Sequence, residues 1–394
     1  MIRILIADDS AFMRKVLSDL FRSQPDFEVV GTAVNGREAI EKVKQLDPDL
    51  LTMDVQMPVM DGLNALAVIM EVHPMPVVML SSLTKEGTEE TIRALSLGAV
   101  DFISKAGGSI SRIDTIEGDI LEKCRAAAKA NVKHAIASAR AAELAAKESE
   151  RKAPPTFRRT VLPHVGGESA PARENPLRRK HENPLLKPRQ TVFQPHIERN
   201  APAGGGQKLV AIGTSTGGPQ ALQSVITRLP KDLPCGVVVV QHMPPGFTKS
   251  LANRLDSLSA VQVKEAEDGD VIRPGHVYIA PGNYHMRVRA EGGTRRIALS
   301  QDPPVGNHRP AVNVLFDSVA PVGRSLVAVI MTGMGSDGTE GMKKIKAEGG
   351  YSIAQDESTS VVYGMPKSVV DAGLADEVRP VTDIARAIVA AVER

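Results

Sequence analysis

Short apolar runs alternate with amphipathic stretches along residues 1–106 of the chain. The runs IRILIAD, FEVVGTA, DLLTMD, MPVVMLSS and VDFISK are rich in Val, Ile and Leu, whereas FMRKVLSDLFRS and GREAIEKVKQL carry apolar residues at helical spacing. Alternation of this kind predicts a parallel sheet with helices on both of its faces.

The same pattern resumes over residues 207–394. KLVAIG, CGVVVVQHM, SLVAVIMTGMG and GGYSIAQD are predicted buried strands, and PQALQSVITRL, GFTKSLANRLDSL and TEGMKKIKAEG are predicted amphipathic helices. Between them, HVYIAPGNYHMRVRAEGGTRRIALSQ alternates apolar and polar residues around two glycines, which predicts an antiparallel hairpin. We therefore expect a second α/β domain, doubly wound and mostly parallel, with an antiparallel hairpin.

The stretch between the two patterns differs from both. Residues 112–150 are rich in Ala, Lys and Glu, which predicts a helix that first packs on the first sheet and then projects from it. Residues 153–206 are rich in Pro, Arg and Gly, which is typical of a flexible linker. The predicted organisation is a first domain at 1–122, a helical extension and linker at 123–203, and a second domain at 204–394.

Composition narrows the classes of function. The net charge of the 394 residues is only +2, aromatic residues make up 3%, and Trp is absent, so we expect no nucleic-acid partner. Cys124 and Cys235 lie far apart and suggest neither a metal site nor a disulfide framework. No apolar run approaches the roughly 18–20 residues of a membrane-spanning helix, so we expect a cytoplasmic protein without direct membrane insertion.

Acidic residues end two of the predicted strands in the first domain. Asp8 and Asp9 end the first strand and Asp54 ends the third, while Ser81 and Lys105 end the fourth and fifth. The carboxyl ends of parallel strands lie along one edge of a sheet, so these side chains are expected to converge. Clustered carboxylates suit Mg²⁺, and a neighbouring lysine suits phosphoryl oxygens. The pattern predicts a phosphoryl-acceptor site with Asp54 as nucleophile, although a strand-end Asp taken alone is more often a helix cap.

A serine lies among glycines where the first strand of the second domain ends. GTSTG at 213–217 fits G-x-S-x-G between a predicted strand and a predicted helix. The simpler interpretation is a strand-to-helix turn, and the sharper one is a nucleophile, Ser215, with the N–H of Thr216 available to an oxyanion. No Lys follows in STGGPQ, so the turn is not a P-loop.

A nucleophilic serine needs a base. His242 directly follows the next predicted strand, which brings it to the same edge of the sheet as Ser215. An isolated His is more often structural, and His285 and His308 are competing candidates. We expect His308 and Arg309 to be better suited to contact with substrate.

The base in turn needs an orienting carboxylate. Asp337 follows a third buried strand through a Gly-rich turn, where a carboxylate would hold the imidazole tautomer. Its alternative role is to cap the helix TEGMKKIKAEG, and the two roles are compatible. The N–H of Met334 in the same turn is a second candidate oxyanion donor. The chain order Ser, His, Asp differs from that of the α/β-hydrolases.

The first domain resembles a response-regulator receiver domain through ADDS, MDVQMPVMDG, MLSS and ISK. The resemblance implies a flavodoxin-like fold, with a five-stranded parallel sheet in the order 2-1-3-4-5, and phosphorylation of Asp54. It also implies a Mg²⁺ site formed by Asp8, Asp9, Asp54 and the backbone carbonyl of Gln56. The residues implied for the conformational switch are Ser81, Phe102 and Lys105.

Residues 1–122 and about 207–394 together resemble the chemotaxis response-regulator protein-glutamate methylesterases/protein-glutamine glutaminases, and only the linker lies outside the resemblance. The motifs are IGTSTGGPQAL, VVVVQHMPPGFT, YIAPGNYHM, NHRPAVNVLF and MTGMGSDGTEGM. The resemblance implies phosphorylation-controlled hydrolysis of glutamate γ-methyl esters on chemoreceptor cytoplasmic domains, releasing methanol, together with deamidation of receptor glutamines. It implies Ser215, His242 and Asp337 as a triad, assisted by Thr216 and Met334.

The same resemblance implies partners and cofactors. We expect a chemotaxis histidine kinase as phosphodonor, methyl-accepting chemoreceptors as substrate, Mg²⁺ in the receiver, no cofactor for ester hydrolysis and a monomeric protein. Two alternatives remain open at this point. One is a phospho-regulated, non-catalytic docking scaffold, and the other is a serine hydrolase acting on a different protein ester or amide.

Overall fold

The computed structural model describes residues 1–81, 84–105, 113–130, 132 and 208–394. Most of the predicted helical extension and linker at 123–203 therefore lies outside the described residues. The two sheets, with the helices around them, belong to one compact unit. In the described part of the chain, no helix is both long enough and apolar enough to cross a membrane.

The first domain is a five-stranded parallel sheet with strand order β2-β1-β3-β4-β5, as predicted. Its elements are β1 (Ile2–Ala7), α1 (Ala11–Arg22), β2 (Phe27–Ala33), α2 (Gly36–Leu46), β3 (Leu50–Asp54), α3 (Gly62–Val72), β4 (Val77–Ser81), α4 (Lys85–Leu97), β5 (Asp101–Ser104) and α5 (Ile113–Ala127). Helix α5 ends at Ala127, beyond the predicted domain boundary at residue 122.

Local sequence explains where the first helices begin. The Ser10 hydroxyl accepts a hydrogen bond from the N–H of Met13, and the Asn35 amide oxygen accepts one from the N–H of Glu38. The Glu38 carboxylate accepts in return from the N–H of Val34, so two backbone N–H groups at the start of α2 are bound reciprocally, much as in a capping box. These caps satisfy backbone donors that have no partner within the helix.

The second domain contains a seven-stranded sheet with order β14-β13-β12-β6-β7-β9-β8, and all of its strand pairs are parallel. Its elements are β6 (Leu209–Thr214), α6 (Gly218–Ile226), β7 (Gly236–Gln241), α7 (Phe247–Leu258), β8 (Gln262–Glu265), β9 (His276–Ile279), β10 (His285–Glu291), β11 (Thr294–Ser300), α8 (Val312–Val319), a 3₁₀ helix (Ala320–Ser325), β12 (Leu326–Ile330), α9 (Thr339–Ala347), β13 (Tyr351–Gln355), α10 (Met365–Asp371), β14 (Glu377–Arg379) and α11 (Val381–Val392).

The run of valines in β7 shows why this sheet is buried on both faces. Val237 and Val239 belong to one apolar cluster, which continues into the first domain, while Val238 and Val240 belong to a second cluster on the opposite face. Successive strand residues point to opposite faces, so an uninterrupted apolar run requires cover on both sides. Helices supply that cover, as expected of a doubly wound fold.

The predicted hairpin is present but shorter than the segment that suggested it. β10 and β11 pair antiparallel, and the turn between them is formed by Gly292 and Gly293, whose φ angles are 57° and 79°. The beginning of the segment, His276–Ile279, instead forms the parallel strand β9 between β7 and β8. Alternating polarity alone does not distinguish these two environments, because both have period two.

Candidate active site

Ser215 occupies the turn between β6 and α6. Its N–H donates to the carbonyl of Thr332 at 3.0 Å, which ties the turn to the end of β12. Gly217 has a φ of 76°, a conformation that side chains with a Cβ rarely adopt. At Gly333 a Cβ atom would lie 2.8 Å from the Cβ of Ser215, so this close approach also requires glycine. The glycines of both turns therefore set the position of the serine.

The three side chains predicted to act together lie within hydrogen-bond distance of one another. The Ser215 Oγ is 3.2 Å from His242 Nδ1. On the other side of the ring, His242 Nε2 is 2.8 Å from Asp337 Oδ2. The His242 and Asp337 side chains are only 6% and 9% exposed, so the pair is shielded from water.

The protonation state of Asp337 decides what each ring nitrogen can do. Burial alone would raise the pKa of Asp337, but the hydrogen bond and positive charge of His242, with backbone donors from Asn313 and Val312, lower it overall. An ionised Asp337 only accepts hydrogen bonds, so Nε2 of His242 carries the proton. When the ring is neutral, Nδ1 presents its lone pair to the Ser215 hydroxyl, which is the arrangement a general base requires.

Asp337 also caps a helix, but not the one the sequence suggested. Its carboxylate accepts from the N–H of Val312 at 2.6 Å and of Asn313 at 2.9 Å, at the start of α8. The start of α9 is bound by the Asn313 side chain, whose Oδ1 accepts from Gly338 and Gly341. The predicted capping of TEGMKKIKAEG by Asp337 is therefore wrong. Asn313 caps that helix instead. Because α8 and α9 pack side by side, a residue of each helix region caps the start of the other.

Two buried polar residues that the sequence analysis did not single out connect the turns of the site. Gln241 Nε2 donates to the carbonyls of Ser215 and His242 at 3.0 and 3.1 Å. Thr332 Oγ1 donates to the carbonyl of Thr216 at 2.9 Å. The sequence signal for both is a polar residue next to an apolar strand, because Gln241 ends β7 and Thr332 follows the end of β12 by two residues.

The two candidate oxyanion donors have free N–H groups. Within the described residues, neither the N–H of Thr216 nor that of Met334 meets a hydrogen-bond acceptor. Met334 also lines a cleft of about 580 Å³, together with residues of α5 and of the segment before α10. Both N–H groups are thus available for a negatively charged oxygen.

The competing histidines lie in different settings. His285 is fully buried, and its ring bonds the carbonyl of Pro303 and the N–H of Ala311, so its role is structural. The ring of His308 stacks on that of His242. The Arg309 guanidinium donates hydrogen bonds to the Asn283 side chain and to the backbone carbonyls of Gln301 and Asp302.

The carboxylates and the lysine predicted at the edge of the first sheet lie close together in the structure. Asp8, Asp9 and Asp54 offer carboxylate oxygens that all lie within 4.8 Å of one another. Lys105 Nζ lies 2.8 Å from Asp8 Oδ2 and 2.7 Å from Asp54 Oδ2. Burial raises the pKa of Asp54, an effect that Lys105 only partly offsets. Converging hard oxygen donors with excess negative charge fit Mg²⁺.

The remaining predicted residues of the first domain surround this edge. Gln56 lines the same pocket of about 250 Å³ as Asp9, Asp54 and Lys105, and its N–H donates to Asp54. Ser81 is buried, and its hydroxyl bonds the carbonyl of Gly87 and the Thr91 hydroxyl.

The first domain contacts the second domain beside Ser215. Thr216 Oγ1 donates to Asp101 Oδ2 at 2.6 Å. Gln220 Nε2 donates to the carbonyls of Leu95 and Ala99, at 2.6 and 2.8 Å. These contacts join α4 and β5 to the turn and helix that carry the serine.

Aromatic packing extends the same contact. The ring centroids of Phe102, on β5, and Phe247, at the start of α7, are 4.4 Å apart. The predicted switch residue Phe102 is thus part of the interface between the domains.

Comparison with protein-family models divides the chain in two. Residues 4–115 match the model described as response regulator receiver domain, and residues 210–388 match the model described as CheB methylesterase.

Curated relatives cover nearly the full length. The chain is 51% identical over 393 residues to the protein-glutamate methylesterase/protein-glutamine glutaminase of Symbiobacterium thermophilum, covering 99% of this chain and 97% of the relative. It is 43% identical over 394 residues to the protein of the same name from Pyrococcus abyssi, covering 100% of this chain and 94% of the relative.

Two solved structures from Thermotoga maritima are also similar to parts of the chain. The CheB methylesterase catalytic domain is 50% identical with a TM-score of 0.46, covering 46% of this chain and 97% of that structure. The response regulator domain of CheB is 52% identical with a TM-score of 0.32, covering 33% of this chain and 98% of that structure.

Proposed function

The chain belongs to the protein-glutamate methylesterase/protein-glutamine glutaminase family, and from this premise we propose that Ser215, His242 and Asp337 hydrolyse glutamate γ-methyl esters on the cytoplasmic domains of chemoreceptors. The observation that carries the proposal is the continuous hydrogen-bonded series from Ser215 Oγ through both ring nitrogens of His242 to Asp337. The proposal includes a cytoplasmic protein, because the substrate lies on cytoplasmic receptor helices, and it keeps the expectation of a monomer.

The acylation step follows from the hydrogen bonds. Ser215 Oγ attacks the ester carbonyl carbon while His242 Nδ1 takes the hydroxyl proton. The carbonyl oxygen becomes an oxyanion and accepts from the N–H groups of Thr216 and Met334. Asp337 stabilises the imidazolium that forms. The C–O bond to the methoxy group then breaks, and His242 returns the proton so that methanol leaves.

Deacylation repeats the sequence with water. His242 takes a proton from water, hydroxide attacks the acyl-serine, the C–O bond to Ser215 breaks, and the proton returns to Ser215 Oγ. The glutamic acid side chain that leaves then releases its own proton to solvent and becomes a carboxylate. A glutamine side chain presents the same carbonyl with an amine leaving group. We therefore include deamidation of receptor glutamines in the proposal.

The first domain supplies control through Asp54. A histidine kinase is the phosphodonor that a receiver domain implies. We propose that Asp54 accepts the phosphoryl group, that Lys105 binds its oxygens, and that Asp8, Asp9, Asp54 and the Gln56 carbonyl hold Mg²⁺. When bound, Mg²⁺ would neutralise phosphoryl charge during transfer.

Inhibition by the unphosphorylated first domain is supported by its contacts beside Ser215. Asp101 binds Thr216, and Phe102 packs on Phe247, so a substrate helix would have to displace both. We propose that phosphorylation moves Ser81 and Phe102 and weakens this contact. The resulting shift in population is limited by the free-energy difference that phosphorylation makes between closed and open forms.

Methanol release from methylated receptor tests the proposal directly. The full-length chain, treated with acyl phosphate and Mg²⁺, is compared with its Ser215→Ala variant, with circular dichroism as the control for folding. We expect methanol only from the wild type. Methanol release that persists in Ser215→Ala would contradict the assignment of the nucleophile.

The same assay separates the two alternatives. A docking scaffold predicts binding of receptor without methanol from either protein. A hydrolase for another ester or amide predicts no methanol but Ser215-dependent hydrolysis of a small activated ester.

A further inference from the structure

One short segment connects His308 with the donors that bind Asp337. Val305 and His308 exchange backbone hydrogen bonds of 3.1 and 3.0 Å across a tight turn. The two central residues, Gly306 and Asn307, have φ angles of 58° and 66°, as a two-residue turn of this kind requires. The chain then reaches Val312, whose N–H donates to Asp337. The backbone of His308 is therefore fixed relative to the carboxylate.

Arg309 anchors the same segment on its other side. Its guanidinium binds the Asn283 side chain and the carbonyls of Gln301 and Asp302, while the N–H of Asn283 donates to the carbonyl of Arg309. This network holds the neighbour of His308 from two directions. The backbone that carries His308 is consequently held in place on both sides.

The imidazole of His308 lies flat against the imidazole of His242. The ring centroids are 3.8 Å apart and the planes differ by 12°. Within the described residues, no hydrogen bond joins the ring of His308 to another group. A ring without such a partner does not relay protons, so its contact with the base is one of packing.

We propose that His308 is a positioning residue, whose ring holds the plane of His242 so that Nδ1 faces Ser215 and Nε2 faces Asp337. The inference rests on the proposed function, because it assigns a task within that reaction. The N–H and the lone pair of an imidazole lie in its ring plane, so rotation of the His242 ring about the Cβ–Cγ bond would misalign both of its hydrogen bonds. A stacked ring opposes that tilt and excludes water from one face.

The electrostatics of the stack agree with this role. Burial and the neighbouring His242 lower the pKa of His308 to about 4, so its ring is neutral at neutral pH. The titratable groups that act on it are His242 and Asp337 in the second domain, with Asp119 and Lys123 on α5 of the first. A neutral ring tolerates the imidazolium that forms on His242, whereas a charged neighbour would oppose it.

Substitutions that separate packing from titration test the proposal in the full-length, acyl-phosphate-treated protein. His308→Ala removes the stack, His308→Phe keeps a flat ring that cannot titrate, and His276→Ala, on β9, is the control. We expect His308→Ala to lower kcat about 100-fold with KM changed less than about threefold, since small displacements of a catalytic group cost this much. His308→Phe should recover most of the loss.

Nitrogen-15 NMR of the His242 ring supplies a readout that a purely structural role would not move. We expect one tautomer, protonated on Nε2, in the wild type and in His308→Phe, and exchange-averaged signals in His308→Ala. An unchanged kcat in His308→Ala overturns the proposal. So does a rise in KM alone, which would make His308 a substrate contact, or a His308→Phe variant as slow as His308→Ala.

A serine-directed sulfonyl fluoride distinguishes failure of this inference from failure of the proposed function. The reagent reports the reactivity of Ser215 without any receptor. If methanol is not released by the wild type, the proposed substrate is wrong, but slower labelling of His308→Ala than of His308→Phe still supports positioning. Equal labelling rates for all three proteins overturn the positioning role whatever the substrate.

Discussion

Both sheets carry their candidate functional side chains at the carboxyl ends of parallel strands, but the ratio of negative to positive groups differs between the two edges. At the first edge, Asp8, Asp9 and Asp54 face one lysine, Lys105, so the carboxylates outnumber the cation within the described residues. At the second edge a single carboxylate, Asp337, is bound by His242 and two backbone N–H groups. The first site needs an added cation to be complete, whereas the second already contains its partners.

The two sites therefore differ in net charge and in the orientation of their polar groups before a ligand binds. The excess of carboxylates at the first site favours a divalent cation, which in the function proposed above would be Mg²⁺ bound for phosphoryl transfer. The hydrogen-bonded and largely buried second site has its polar groups already oriented. In the function proposed above, the contact between the domains is the route by which the first site controls the second.

The largest expected effect comes from removing the charge of Asp337. Asp337→Asn keeps the shape of the side chain but allows the wrong tautomer of His242, so we expect kcat to fall about 10⁴-fold with little change in KM. Steady-state methanol release measures it. Asp317→Asn, a surface carboxylate paired with Lys344, is the control and should retain wild-type turnover. A loss smaller than about tenfold would mean that Asp337 does not orient the base.

The next expected effect concerns the charge deficit of the first edge. Asp54→Asn removes the phosphoryl acceptor, so the response of turnover to acyl phosphate and Mg²⁺ should disappear. If closure is worth about 1.4 kcal/mol, the response that is lost is about tenfold. Asp19→Asn, which alters an exposed carboxylate on α1, should leave the response intact. Stimulation that survives in Asp54→Asn would place phosphorylation elsewhere.

Weakening the contact between the domains should have a moderate effect. Gln220→Ala removes two buried hydrogen bonds to the carbonyls of Leu95 and Ala99. Each contributes about 0.5–1.5 kcal/mol, so turnover without acyl phosphate should rise about fivefold or more. The comparison variant is Gln262→Ala, on the exposed end of β8. Turnover that stays at the wild-type level in Gln220→Ala would argue against inhibition through this contact.

The smallest expected effect is on stability and depends on pH. Because the folded pKa of Asp337 lies below its ordinary value of 3.8, the ionised carboxylate stabilises the folded state at neutral pH. That stabilisation is lost as the pH falls through the lowered pKa. Asp337→Asn should lower the midpoint of thermal unfolding at pH 7 by about 2–4 °C per kcal/mol lost, with the difference shrinking below pH 3.8.

Asn313→Ala is the matched control for this dependence on pH. Its amide caps α9 through Gly338 and Gly341 but does not titrate, so its effect on the midpoint should not change over the same range. A pH-independent difference for Asp337→Asn would show that its charge does not contribute to stability.

The architecture and the convergence of the candidate residues were predictable for one physical reason. Residues that follow buried parallel strands meet at one edge, so Asp54, Ser215 and His242 were placed by their position after apolar runs. No distance or angle was needed for that inference. The functional roles of these residues stay predictions, and the experiments above test them.

Other features depend on contacts between elements distant in the chain. The exchange of caps between Asp337 and Asn313 follows from the packing of α8 on α9, which no local pattern encodes. The stack of His308 on His242 depends on a turn whose orientation is set by Arg309 and Asn283. Similarly, β9 joins the large sheet because β7 offers an unpaired edge, not because its own residues differ from those of a hairpin.

The shared use of Asp337 affects how an inactive form of the protein should be made. Asp337 both hydrogen-bonds His242 and caps α8, so replacing it would disturb the scaffold together with the proposed chemistry. The hydroxyl of Ser215, by contrast, has the ring of His242 as its only hydrogen-bond partner among the described residues. A probe intended to capture bound receptor should therefore carry the substitution at Ser215 and leave the carboxylate untouched.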